Sequence, residues 1–402
     1  MPSGAPSEQT RNAVTLGVVP MPQSNAVKNL AASVLTKIAR RIFGMPFWLL
    51  YVLVLGFCLL QNGLAVGPQT PGLLQASTDI TVNPFIVQRG DEWLLSSYLG
   101  PVLGYVTSMN RSILSYFLLH VIVFLVCFTM LIAVIRRSSG DFAARCVTLA
   151  FMLSPISNVL FTWVGSPDIL TTLLAMTVVV FSGNPLILGL SAFLLGTNHP
   201  EQGLAILVLL TMMCIHTRRA LNTVKFAAVS MGCLTMGILA VQWWFSSHNF
   251  DVLFTRLHYF VMHGLFPHMR ASLSNPFALV FSLFNVLILF VAAYVVYFWK
   301  KDRVAVALVV YSVLAFITVL FTLDQTRVFA VITFPALVLA ILSPSFARLK
   351  GSERRFFEMV LTICFVAGIL LPRFVVWNGA IYGSVYPAYL QQLEAILAPR
   401  AG

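Results

Sequence analysis

The chain has 402 residues, 59% of them hydrophobic and only 9% charged, where a soluble domain carries about 25% charged residues. With a mean hydropathy of +0.89 and repeated apolar runs near the ~20 residues that cross a bilayer, it reads as a polytopic membrane protein. A soluble enzyme, a nucleic-acid module and a secreted disulfide scaffold are excluded. The formal charge of +12 therefore matters through its position along the chain rather than its sum.

Residues 1–42 are polar, rich in Ser, Pro and Gln, and end in Lys37, Arg40 and Arg41. They read as a disordered cytoplasmic tail leading into a signal anchor. Residues 43–373 read as the transmembrane domain, with apolar runs at Met45–Val66, Ile113–Val134, Cys146–Val164, Ile169–Ser182, Leu186–Gly196, Leu204–His216, Phe226–Phe245, Pro276–Trp299, Val304–Leu323, Val328–Leu342 and Phe356–Leu371. Residues 374–402 read as an outer C-terminal tail. The expected fold is thus an all-α polytopic helix bundle of about 11 spans. Three runs between Ile169 and His216 are short: a 14-residue helix reaches only about 21 Å against a hydrocarbon core of about 30 Å.

Short cytoplasmic loops collect Lys and Arg. Eleven passes with the N-terminus inside place 18 of the 25 basic residues on the inner side, among them Arg136, Arg137, Arg145, Arg218, Arg219, Lys300, Lys301, Arg303, Lys350, Arg354 and Arg355. Merging two short runs would put Arg218, Arg219 and the Lys300–Arg303 cluster outside. With five of the 13 acids inside, the net charge is +13 inside and −1 outside. Chemistry is expected on the outer or lumenal face, in a plasma (inner) membrane or the endoplasmic reticulum.

Two outer loops are long, 67–111 and 246–275. The first holds RGDEW followed by LLSSYLGPVLGYVTSM, whose apolar spacing suits an amphipathic segment in the interface. The second interleaves aromatics with His and Arg. The six cysteines lie in or beside apolar runs without C-x-x-C spacing, and read as small packing residues.

Asp91 and Glu92, in RGDEW, are the first candidate general bases, since a surface carboxylate beside aromatic residues can take a hydroxyl proton. The bland alternative is an acidic first helical turn. Asp79, in STDITVNP, is a second base, or merely an Asx turn before Pro84. Asp168, in WVGSPDIL, either caps a helix with Ser166 or points into the same outer cavity as Asp91. His199 and Glu201, in GTNHPEQG, join two short helices at that level as substrate contacts or as a plain helix connection. Arg327, with Asp324 three residues before it, is the first choice for binding a lipid phosphate, because guanidinium pairs bidentately with phosphate oxygens. Its alternative is an i,i+3 ion pair. Arg256, His258 and Arg270 of the second loop are further phosphate ligands. No compact zinc motif occurs and no cofactor is expected, although the acidic loops leave room for a weakly held divalent ion.

In layout the chain resembles the GT-C superfamily of membrane glycosyltransferases. The resemblance rests on a cytoplasmic N-terminus, one span, and a long outer loop with an acidic motif and an amphipathic segment. Many spans follow, with a second acid in the next outer loop. RGDEW looks like the superfamily's first-loop motif and Ser166-Pro167-Asp168 like its second-loop acid, over roughly the first 220 residues. Larger members carry a soluble C-terminal domain, and the residues after the last run here, 374–402, are expected to form none. The resemblance implies inverting transfer of a sugar from a polyprenyl- or dolichyl-phosphate donor to a glycan or lipid hydroxyl. Asp91 or Asp79 would be the base and Arg327 the phosphate ligand, in contact with membrane lipids and no nucleic acid. A lipid-linked glycan flippase or transporter, a polysaccharide polymerase, and a non-catalytic subunit of the same scaffold are the alternatives.

Overall fold

The computed structural model describes residues 24–85, 89–217, 220–250, 265–371, 373–377 and 380–383. Its architecture is all-α apart from one short hairpin, and each apolar run carries a helix. The first helices are α1 (Ser24–Gly44), α2 (Phe47–Asn62), α3 (Thr70–Thr78), a 3₁₀ turn (Arg89–Ser96) and α4 (Leu99–Val106). Then come α5 (Ile113–Ser139), α6 (Asp141–Leu153), α7 (Pro155–Thr162), α8 (Asp168–Val180), α9 (Pro185–Asn198), α10 (Pro200–Thr217) and α11 (Ala220–Ser247). The last are α12 (Leu265–Ser272), α13 (Pro276–Phe284), α14 (Ile288–Phe298), α15 (Arg303–Leu320), α16 (Gln325–Ile341), α17 (Pro344–Ala347) and α18 (Gly351–Leu370). Strands β1 (Phe374–Trp377) and β2 (Ala380–Gly383) pair antiparallel.

Local chemistry sets these boundaries. Ser112 and Ser115 form a reciprocal capping box at the start of α5, and Gly140 ends it at φ +93°, a conformation only glycine adopts freely. Asn184 accepts from the N–H of Leu186 and Ile187 ahead of Pro185, and Asp302 accepts from Val304 N–H at the start of α15.

Among the described residues, four helices are long and apolar enough to cross a membrane: α5, α11, the α13–α14 pair and α15. Two bent pairs raise the number to six, α1 with α2 (bent 110°) and α6 with α7 (66°). Helices α6 and α7 of the second pair and the shorter apolar helices α8 and α16 are buried on nearly every side, as expected of a helix hydrophobic all round. Their partners are protein. Helix α16 runs through the centre, packed on α7, α8, α10, α13 and α15. Large apolar side chains are exposed instead on α5, α11 and α13, at Ile122, Val126, Met130, Met236, Trp243 and Phe277.

One expectation is corrected at the start of the chain. Residues 24–42, expected to be disordered, are helical in α1, because Val34, Ile38 and Ile42 recur at helical spacing and Ala39 and Ile42 are buried against the bundle. Within the expected C-terminal tail, residues 374–383 form the hairpin, whose Val376 N–H bonds to Thr326 Oγ1 at 2.9 Å.

Candidate functional site

The outer layer is built on the segment 163–168. After α2 the chain runs beside it as a short parallel bridge, Val66 with Val164, with Ala65 N–H to Phe161 O (2.9 Å) and Gly67 N–H to Val164 O (2.9 Å). Gly67 fits closely there: a Cβ would stand 2.1 Å from Ser166 Oγ and 3.2 Å from the Trp163 carbonyl carbon, so the serine hydroxyl would have to turn away. Gly165 takes φ +87° and lies against Thr70, whose hydroxyl donates to Val164 O at 2.9 Å. Helix α3 then packs on α4 around Leu73, Phe85, Leu95 and Tyr98. Trp244 of α11 clasps this layer, donating from Nε1 to Ile80 O (2.9 Å) and Tyr98 Oη (3.2 Å); its neighbour Trp243 faces outward. The amphipathic segment of the first loop is α4, which exposes Tyr105 and Val106.

Beneath this layer lies a cavity of about 670 Å³. The first loop contributes Gln69, Gln75, Asp91 and Trp93; the α9–α10 junction gives His199, Glu201 and Gln202; Thr322, Asp324 and Arg327 close the far wall. Trp163 and Trp377 cover it, their rings 5.4 Å apart.

Arg327 is the centre of charge. Its Nη1 lies 3.1 Å from Asp324 Oδ2 and its Nε 3.5 Å from Asp168 Oδ1, while its guanidinium carbon sits 4.3 Å from the Trp163 ring centroid. This is cation–π distance. Asp168 is 0% exposed, opens α8 after an N-cap Pro167 without a side-chain cap bond, and has no hydrogen bond to either carboxylate oxygen. It is thus no helix cap. Nor does it line the cavity: it stands behind Arg327 and holds it. Asp324, in the turn between α15 and α16, has its carboxyl pushed up to about 6 by burial, with Arg327 opposing the shift and Asp168 adding to it.

The other candidates separate. Asp91 is exposed at the cavity wall, whereas Glu92 beside it is buried off the wall. Asp79 is exposed outside the cavity and forms the Asx turn, accepting from Thr81 N–H (2.8 Å) and Thr81 Oγ1 (2.6 Å). Those two bonds hold its carboxyl below the usual range. His199 and Glu201 both line the cavity and pair with each other, Nδ1 to Oε2 at 3.4 Å. Arg270 lies on α12, off the wall. Arg256 and His258 fall outside the described residues. Among the described residues, no three His, Cys, Asp or Glu side chains gather as metal ligands.

Three residues that build this region have no forecast in the sequence reading: Trp163, Trp377 and Arg373. Arg373 is 4% exposed. It donates to Ser157 Oγ at 2.6 Å, to Asn62 Oδ1 at 3.4 Å and to Met152 O. It thereby roots the hairpin carrying Trp377 in the break between α6 and α7. An arginine two residues past an apolar run, after Pro372, is the signal available for it; the tryptophans carry none.

The fold and this cavity define a helical multi-pass membrane protein with a charged, aromatic-lined chamber. No protein-family model, curated protein or solved structure matches the chain.

Proposed function

We propose that the chain is a membrane glycosyltransferase of the GT-C kind. It would move a sugar from a polyprenyl- or dolichyl-phosphate to a glycan or lipid hydroxyl on the outer or lumenal face, in a bundle of eleven passes with the N-terminus inside. One observation carries the reading: the cavity joins the first-loop acid Asp91, the guanidinium of Arg327 and the faces of Trp163 and Trp377. An acid to take a proton, a cation for a leaving phosphate and flat apolar faces for a sugar ring are the three parts this transfer needs.

The acceptor hydroxyl oxygen attacks the anomeric carbon while Asp91 takes its proton. The bond from that carbon to the phosphate oxygen breaks on the opposite side, and the lipid phosphate leaves with its growing charge against Arg327. Asp168 keeps Arg327 in place from behind. His199 and Glu201 stand across the cavity as contacts for sugar or acceptor hydroxyls. Of the two proposed bases, Asp91 is favoured because it lines the chamber, while Asp79 is occupied by Thr81.

The test is transfer of radiolabel from a panel of synthetic polyprenyl-phosphate sugars by purified protein, with Asp91→Asn and Asp79→Asn beside it. Transfer lost in Asp91→Asn and kept in Asp79→Asn is expected. Full activity in both variants would overturn the mechanism. The burial of Asp168, Arg327 and Asp324 within the bundle favours a second reading, a lipid-linked glycan flippase, since transporters keep ionisable groups at depth. Translocation of a fluorescent polyprenyl-phosphate sugar across vesicles, without transfer, would select it.

A further inference from the structure

Helix α1 contains Lys28, Lys37, Arg40 and Arg41 and no acid. At 3.6 residues per turn, Val34, Leu35, Ile38, Ala39, Ile42 and Phe43 fill one half of its circumference. Lys37, Arg40 and Arg41 fill the other. The centre of the apolar half is used by the protein: Ala39 and Ile42 are buried, and α1 packs on α18. Val34, at the border with the basic half, is 46% exposed.

The attitude of α1 is fixed by its own chemistry. Its axis turns 110° into α2. At that corner Arg145, 5% exposed, donates from Nη1 to Ile42 O (3.1 Å) and from Nη2 to Met45 O (2.6 Å), while its Nε pairs with Asp141 at 2.5 Å. The carbonyls that a helix end leaves unpaired are thereby satisfied in the bent geometry. Where α2 is read as the first span, the 110° turn lays α1 along the membrane surface.

The acids near this corner are already taken. Asp141 holds Arg136 and Arg145, Glu353 holds Lys301, and Glu358 holds Arg354. Among the described residues, Lys37, Arg40, Arg41, Lys350 and Arg355 make no ion pair and are exposed. We propose that α1 is a surface-lying helix that binds anionic lipid head groups through Lys37, Arg40 and Arg41, with Val34 in the adjoining apolar layer, on the side of the membrane where the basic residues gather.

The test uses full-length protein in neutral detergent, titrated with phosphatidylglycerol and with phosphatidylcholine and followed by native mass spectrometry. Wild type is expected to retain phosphatidylglycerol preferentially, and the triple variant Lys37→Gln, Arg40→Gln, Arg41→Gln to lose roughly a hundredfold of that preference, about fivefold per residue. Lys300→Gln with Arg303→Gln, which removes exposed cations of α15 and its approach, is expected to keep it. High salt is expected to abolish the preference in wild type without any substitution. An unchanged preference in the triple variant, equal loss in the control, or no preference in wild type would each overturn the proposal. None of these outcomes depends on a sugar being transferred.

Discussion

Asp168 and Arg327, on two different helices, face one another at 3.5 Å from Oδ1 to Nε, and neither atom has a hydrogen bond elsewhere. The pair is buried, with side chains 0% and 9% exposed. A buried charge left alone is costly, and removing one partner of such a pair typically costs 3–5 kcal/mol, whereas replacing both with apolar groups costs far less. Asp324 still faces Arg327 at 3.1 Å when Asp168 is lost, so Asp168→Leu should lower unfolding stability in detergent by about 3 kcal/mol at most, and the triple variant Asp168→Leu, Asp324→Asn, Arg327→Met, which leaves no charge without its partner, should recover most of it. A triple variant no better than the single would show that packing, not charge, is at stake.

Asp324 predicts a pH dependence. Its folded carboxyl titrates at about 6 because burial disfavours the charged form, while an unfolded aspartate titrates at about 3.9. A folded value raised above the unfolded one gives a contribution that is full below about pH 4 and is lost as pH rises through about 6. Wild type should thus lose thermal midpoint relative to Asp324→Asn between pH 4 and 6. A difference that stays constant across that window would remove Asp324 from the account.

A side chain at Gly67 would crowd Ser166. With a Cβ placed 2.1 Å from Ser166 Oγ, Gly67→Ala should destabilise by about 1–3 kcal/mol, the usual cost of overpacking. Removing the obstacle with Ser166→Gly should restore part of the loss. Additive losses in the double variant would refute the contact.

Arg373 lends itself to a comparison of shapes. Arg373→Ala removes a buried guanidinium and leaves a hole beside Ser157 and Asn62, for a loss of about 2–5 kcal/mol. Arg373→Met keeps much of the volume and should cost markedly less, as read from midpoints in detergent. Equal losses would assign the whole effect to the hydrogen bonds.

What the sequence made legible follows its physics. Hydropathy marks apolar helices wherever they are, so each run carries one, but it does not distinguish lipid from protein as the apolar surroundings. Helices α8 and α16 read as apolar runs, and the neighbours that surround them are other helices. The amphipathic pattern of α1 was present in Val34, Ile38 and Ile42 and was masked by the polar composition around it. In the site, Asp91, Asp324 and Arg327 were visible as scarce charges on the outer side. Asp168 was visible too, though its position behind Arg327 is set by packing. Trp163 and Trp377 were not, because an aromatic residue in an apolar chain carries no signal until the fold brings two together.

The six residues from Trp163 to Asp168 serve three structures at once. Val164 holds the first loop by backbone bonds, Ser166 limits Gly67, and Trp163 and Asp168 hold the guanidinium of Arg327 from two sides. A strip used this way cannot drift one position at a time. Related chains that vary here would be expected to exchange the strip together with residues 67 and 70, as a single inherited block, while the helices around it vary freely.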